Sequence, residues 1–240
     1  MSNQDKPTAL VTGASRGIGR AVAKELSARG FHLIAVARAQ KQLESLDDEL
    51  RAAGGESATL VPLDLKDFPA IDRLGAALYE RFGHLDALAA CAGVLGELTP
   101  VFQARPSMID EVFAVNTIAN QRLIRSLDPL LRAAPAGRAV FLTSGVARNP
   151  RGFWGPYAAS KAALETLVTI YAQEVAITPI KVNLFNPGPT RTAMRAKAFP
   201  GEDPMTLPTP EEVAPKIADL LGASSTRHGE LVAYRDAAHA

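Results

Sequence analysis

The sequence predicts a three-layer α/β protein: seven parallel strands in one doubly wound sheet, with helices on both faces. Three observations predict it. Seven short apolar runs recur along the chain, amphipathic stretches of helical length separate them, and a glycine-rich turn joins the first run to the first helix. The strands are expected at 8–12, 31–37, 58–63, 87–91, 139–142, 180–185 and 230–234. Runs such as H-L-I-A-V-A are apolar on both alternating faces, as in a sheet covered on both sides. The first helix follows the glycine turn and stops at Gly30. A second, at 40–53, stops at Gly54-Gly55, and a third, at 69–82, stops at Gly83. Right-handed crossovers and a turn after the first strand give the strand order 3-2-1-4-5-6-7.

The 240 residues are expected to form a single domain, 1–240, with 47% hydrophobic and 21% charged residues, enough to bury a sizeable core. Lys plus Arg is 26 against 25 acids, so a net charge of +1 makes no electrostatic case for nucleic acid or an anionic membrane surface. The polar start M-S-N-Q-D-K-P and the lack of any apolar run near the ~20 residues of a membrane helix lead to a soluble cytoplasmic protein as the expectation. Cys91 has no partner for a disulfide, and the scattered His32, His84, His228 and His239 have no ligand spacing, so no protein-held metal is expected. Segment 186–210 breaks the rhythm with six prolines and two glycines. A surface excursion would have the same composition. Its place after a late strand, on the side where open α/β sheets bind ligands, favours a substrate loop.

T-G-A-S-R-G-I-G spans residues 12–19, directly after the first strand. In that context Gly13 supplies the tight turn, while Gly17 and Gly19 let backbone approach a pyrophosphate at a helix N-terminus. Gly13, Ser15, Arg16, Gly17, Ile18 and Gly19 are therefore cofactor-binding candidates. The spacing is G-x-x-x-G-x-G. The second strand ends at Ala37, 20 residues after Gly17, where an NAD site carries an acid. Here Arg38 follows instead, and with Arg16 it suits a 2′-phosphate and so NADP(H).

Tyr157 and Lys161 are four residues apart on a strongly helix-forming segment, Y-A-A-S-K-A-A-L-E-T-L, which puts both on one helix face. An ammonium near a phenol favours phenolate and makes the tyrosine a usable acid or base near neutral pH. Ser144 lies 13 residues upstream, after R-A-V-F-L-T, and Asn116 another 28 upstream, in D-E-V-F-A-V-N.

With the glycine turn, these residues resemble the single-domain short-chain dehydrogenase/reductase family over nearly the whole chain. Asp64-Leu65, Ala92-Gly93, Asn186-Pro187-Gly188 and Thr190 match further family elements in order. The resemblance implies a Rossmann-type fold and a tetrad of Asn116, Ser144, Tyr157 and Lys161. Tyr157 would protonate a substrate carbonyl, Ser144 would hydrogen-bond the same oxygen, and Lys161 would hold the nicotinamide ribose and tune Tyr157. Asn116 would hold a water linking Lys161 to solvent. The resemblance further implies that Asp64 contacts the adenine amino group and Leu65 offers a backbone N–H, that Ala92 and Gly93 belong to the cofactor site, that Asn186, Pro187 and Gly188 close over the nicotinamide side, and that Thr190 reaches the carboxamide or pyrophosphate. Asp64 reads equally as a helix N-cap in D-L-K-D.

The chain departs from the family pattern at Cys91, where asparagine is usual, and at its end, where Y-R-D-A-A-H-A replaces a D-G-G-like turn. The N-P-G-P-T-R-T-A-M-R loop and W-G-P-Y-A-A-S-K are similar to a bacterial subgroup whose substrates are poorly assigned, so aldehyde, ketone, quinone, sugar and 3-oxoacyl thioester all stay open. Phe153 and Trp154 either line a substrate mouth or pack near a subunit contact. A catalytically silent nucleotide-binding sensor or scaffold of the same fold is the alternative function, and such proteins usually lose the tyrosine or lysine kept here. An epimerase would carry T-G-x-x-G-x-x-G, which is absent. Apolar residues on more than one side of the Tyr157 helix and of the preceding one predict a homodimer or homotetramer.

Overall fold

The structure, a computed structural model, describes residues 6–235. The polar N-terminus at 1–5 and the end of the tail at 236–240, to which two of the expectations refer, lie outside them. Seven strands form one sheet in the order β3-β2-β1-β4-β5-β6-β7, as expected. They are β1 (Thr8–Thr12), β2 (His32–Ala37), β3 (Thr59–Pro62), β4 (Ala87–Ala90), β5 (Arg138–Leu142), β6 (Lys181–Asn186) and β7 (Leu231–Ala233). All six neighbouring pairs are parallel.

Strand periodicity divides the core into two layers. Leu10, Ile34, Val36, Phe141 and Leu184 point to one side and meet α3 (Phe68–Phe82), α5 (Ala119–Ala133) and α6 (Gly155–Glu174). Val11, Leu33, Ala35, Val140 and Phe185 point to the other, against α1 (Gly17–Ala28), α2 (Gln40–Ala52) and α8 (Pro210–Leu221). Each fully buried Leu, Ile or Phe contributes about 1.5–3 kcal/mol of transfer free energy, which is why near-continuous apolar strands were legible. Asp67 caps α3 by accepting from the Ala70 N–H, with Pro69 in the first turn.

Two elements differ from expectation. The helix carrying Asn116 is not continuous: α4 (Pro106–Phe113) passes into a π-helical turn, Ala114–Ile118, before α5 resumes. Single π turns inside helices are frequent at functional sites. Segment 186–210 is not an open loop. It contains α7 (Ala193–Ala198), capped by the Thr192 hydroxyl on the Arg195 N–H. Arg191 donates to the carbonyls of Pro204 and Leu207, and Arg195 makes a bidentate pair with Glu202 while lying 3.7 Å over the Phe199 ring. Side chains thus fold the segment on itself, which a periodicity reading cannot detect.

Candidate active site

The strand order reverses between β1 and β4, and the crevice at their carboxyl ends is where open α/β sheets bind ligands. A cleft of about 540 Å³ opens there. Its floor is the glycine turn. Gly13 has φ 69°, and a Cβ on it would come within 3.0 Å of the Ala92 Cα. A Cβ on Gly19 would sit 2.4 Å from the Gly13 carbonyl oxygen, so both positions admit only glycine without movement of backbone. The Thr12 hydroxyl accepts from the Ala92 N–H and ties this turn to the end of β4.

Ser15, Arg16, Ile18 and Arg38 line the cleft with the glycines, and both guanidiniums are exposed with no carboxylate partner among the described residues. Asp64 and Leu65 line it too. Asp64 accepts from the Lys66 N–H in a tight turn, and the helix cap in D-L-K-D is Asp67. Ala92, Gly93, Tyr157, Lys161 and Pro187 complete the expected lining. These residues fit a dinucleotide phosphate: a close-approach backbone turn at a helix N-terminus, and two unpaired arginines, Arg16 in that turn and Arg38 just beyond the end of β2. Gly188 and Thr190 are not brought to the cleft wall. Thr190 is buried, and its hydroxyl donates to the Pro187 and Gly188 carbonyls, which folds the N-P-G turn instead of facing a ligand. α7 lies over the cleft, with Met194 and Lys197 in its wall. The Thr192 methyl packs by Gly17, and Lys197 donates to the Gly96 carbonyl at 2.8 Å, a crossing that no spacing along the chain signals.

Tyr157 sits in the first turn of α6, buried, with Pro156 before it. Burial pushes its hydroxyl up from the ordinary tyrosine value, and the hydrogen bond with the Ser144 side chain opposes this. The Lys161 ammonium donates to the Leu142 carbonyl at 2.8 Å. Lys161 is itself only 3% exposed, and burial pushes it down to about 8. A protonated tyrosine and a lysine titrating near neutrality suit proton donation to an oxygen.

Asn116 lies in the π turn, fully buried. Its Oδ1 accepts from the Val94 N–H at 2.8 Å, and its Nδ2 donates to the Val94 carbonyl and to Ser160 Oγ. Ser160 Oγ donates in turn to the Tyr157 carbonyl, and Thr117 Oγ1 to the Ser160 carbonyl. The asparagine therefore fixes both the loop after β4 and the start of α6. Gly93 passes between them: a Cβ there would lie 3.3 Å from Asn116 Oδ1 and 3.6 Å from Lys161 Nζ. Cys91 borders the same cleft, its thiol pushed up to about 12 by burial, which leaves it a neutral packing group. Trp154 lies between Tyr157, at 6.0 Å edge-on, and Phe199 of the folded loop, at 5.6 Å. Phe153 is 61% exposed at φ 72°, a conformation that strains a non-glycine residue.

No group of three or more metal-ligating side chains gathers among the described residues, and none of the described helices is long and apolar enough to cross a membrane.

The short chain dehydrogenase family model matches residues 7–203, and the chain belongs to that family of oxidoreductases. The uncharacterized oxidoreductase YciK of Escherichia coli K12 is 37% identical over 220 residues, 91% of this chain and 87% of that protein. An NADPH-dependent pterin aldehyde reductase of Arabidopsis thaliana is 29% identical over 89% of this chain and 87% of its own length. A solved structure of a short chain dehydrogenase of Escherichia coli CFT073, complexed with NADPH, has a TM-score of 0.90 at 35% identity, covering 97% of this chain and 99% of that one.

Proposed function

We propose that this protein is a cytoplasmic NADP(H)-dependent carbonyl reductase, or the reverse alcohol dehydrogenase, with 1–240 as one cofactor-binding unit and 186–210 as its substrate loop. The observation that carries this reading is the buried Tyr157 hydroxyl, bonded to Ser144, on a tyrosine that lines a cleft edged by two unpaired arginines. The NADPH-bound relative supports the cofactor assignment. Bound in this cleft, NADP(H) would supply or accept the hydride. Tyr157 gives its proton to the substrate oxygen, and Ser144 hydrogen-bonds that oxygen where negative charge develops. Lys161 would hold the ribose hydroxyls of the cofactor. Asn116 keeps the β4 loop and α6 in register. Arg16 and Arg38 would take the 2′-phosphate.

The substrate side is aromatic, with Trp154 next to Tyr157 and Phe199 next to Trp154. Together with the pterin aldehyde reductase relative, this places aromatic aldehydes first in a test panel. NADPH oxidation by the purified protein against aromatic aldehydes, ketones, quinones, sugars and acyl thioesters is expected to show turnover with at least one class. Tight NADPH binding with no turnover across the panel would instead favour a silent sensor.

Self-association belongs to the same reading. Leu164, Val168 and Tyr171 of α6 pack on the sheet, while Ile170 is 46% exposed, and Ile118 in the preceding π turn is 42% exposed. A two-fold contact of these helices from two copies would cover both isoleucines. Sedimentation at micromolar concentration is expected to give roughly two or four times the 25.4 kDa chain mass; a species at that mass refutes the oligomer.

A further inference from the structure

Glu165 is a buried carboxylate that none of the roles above employs. It lies on α6 one turn beyond Lys161, is 8% exposed, and has two partners. Thr143 Oγ1 donates to its Oε1 at 2.7 Å, and Arg148 Nε to its Oε2 at 2.9 Å. Thr143 immediately precedes Ser144, and Arg148 lies four residues beyond it. The short helical turn Gly145–Ala147 joins them, closed by the Ala147 N–H on the Ser144 carbonyl. Lys161 grips the same segment one residue earlier, through the Leu142 carbonyl. One face of α6 thus holds the chain at 142, 143 and 148, and Ser144 hangs between these anchors with no cap contact of its own.

We propose that Glu165 is a positioning residue for the reaction: its carboxylate clamps the segment that carries Ser144 onto the helix that carries Tyr157 and Lys161, and it supplies the negative charge that Lys161 faces. This rests on the reading of Tyr157 as proton donor. Geometry supplies the first half, since one carboxylate bridges both ends of a six-residue arc around the serine. The second half follows from what surrounds Lys161. Cys91 after β4 is a thiol held neutral, Leu142 on β5 offers a carbonyl, Asn116 in the π turn offers an amide, and Tyr157 one turn earlier is held protonated. Burial lowers the proton affinity of Lys161; an ionised Cys91 and Glu165 would each raise it, and with the Cys91 thiol held neutral Glu165 is the one that remains. Removing the carboxylate lowers that affinity further, so the ammonium is lost at lower pH.

The test uses the full chain with NADPH and whichever carbonyl the panel identifies. Glu165→Ala is expected to lower kcat by about ten- to a hundredfold, the scale of a displaced catalytic group, while KM for substrate changes much less. Glu165→Gln retains an acceptor for Thr143 and removes the charge. It is expected to move the alkaline limb of the kcat profile to lower pH. Arg148→Ala removes a half-exposed anchor and leaves the charge, so it is expected to lower kcat without moving that limb downward. Should Glu165→Ala lose its cooperative melt, the Gln and Arg148 variants decide. Parental kcat and a coincident alkaline limb in these variants overturn the inference, provided Tyr157→Phe is inactive. An active Tyr157→Phe overturns the underlying reading instead.

Discussion

Tyr157→Phe is expected to lower turnover by about 10²–10⁴-fold, the range a positioned general acid supplies, while NADPH affinity stays close to that of the parent. Phenylalanine keeps the ring that fills this buried place beside Trp154, so the substitution removes the hydroxyl and little else. The loss falls in kcat because the proton moves only in the chemical step. Stopped-flow nicotinamide fluorescence measures cofactor affinity and steady-state absorbance measures turnover on the same sample. Retention of more than about a tenth of the activity, a barrier change below about 1.4 kcal/mol, would remove Tyr157 from the role of proton donor.

The second large effect concerns the cofactor. Arg38→Asp is expected to weaken NADPH by about a hundredfold and to leave NADH nearly unchanged, since a charge-assisted contact to phosphate is exchanged for repulsion of it. Arg38 is exposed and without a carboxylate partner, so no fold contact is lost in the exchange. Titration of both cofactors against parent and variant measures the effect. Equal affinity of the unmodified protein for NADH and NADPH would refute the assignment before any variant is made.

These effects differ in how far the sequence alone foretold them. The glycine turn, the strand order and the Tyr157/Lys161 pair were legible because each is a spacing along the chain, and spacings survive folding unchanged. Leu65, Gly93 and Arg38 reach the cleft because they follow strand ends, and all strand ends of a parallel sheet point the same way. Partner choice was not legible. The Lys161 ammonium goes to the Leu142 carbonyl, the Asn116 amide to Val94, and the Thr190 hydroxyl to its own turn, since each is decided by which backbone atoms lie nearest in space. Glu165 went unread for the same reason: in Y-A-A-S-K-A-A-L-E it is a polar residue on a helix, and only the approach of Thr143 and Arg148 gives it a task. The compact fold of 186–210 depends on Arg191 and Arg195 reaching along the chain to Pro204 and Glu202, with no period for a reader to count.

The parallel pairing has a consequence for how the chain reaches this state. No two neighbouring strands are joined by a hairpin, so no part of the sheet can zip outward from a tight turn. Every pairing waits for a crossover to close a loop, and chains dominated by such distant contacts fold slowly. The join of β1 with β4, where Ala9 meets Ala87, must gather the three helices and two strands that lie between them in the chain. That same join brings the glycine turn against Ala92 and so completes the nucleotide cleft. Nucleotide affinity therefore returns late in refolding, after much of the helix content has formed, and cofactor present during synthesis can stabilise the chain only once its most distant strands have met.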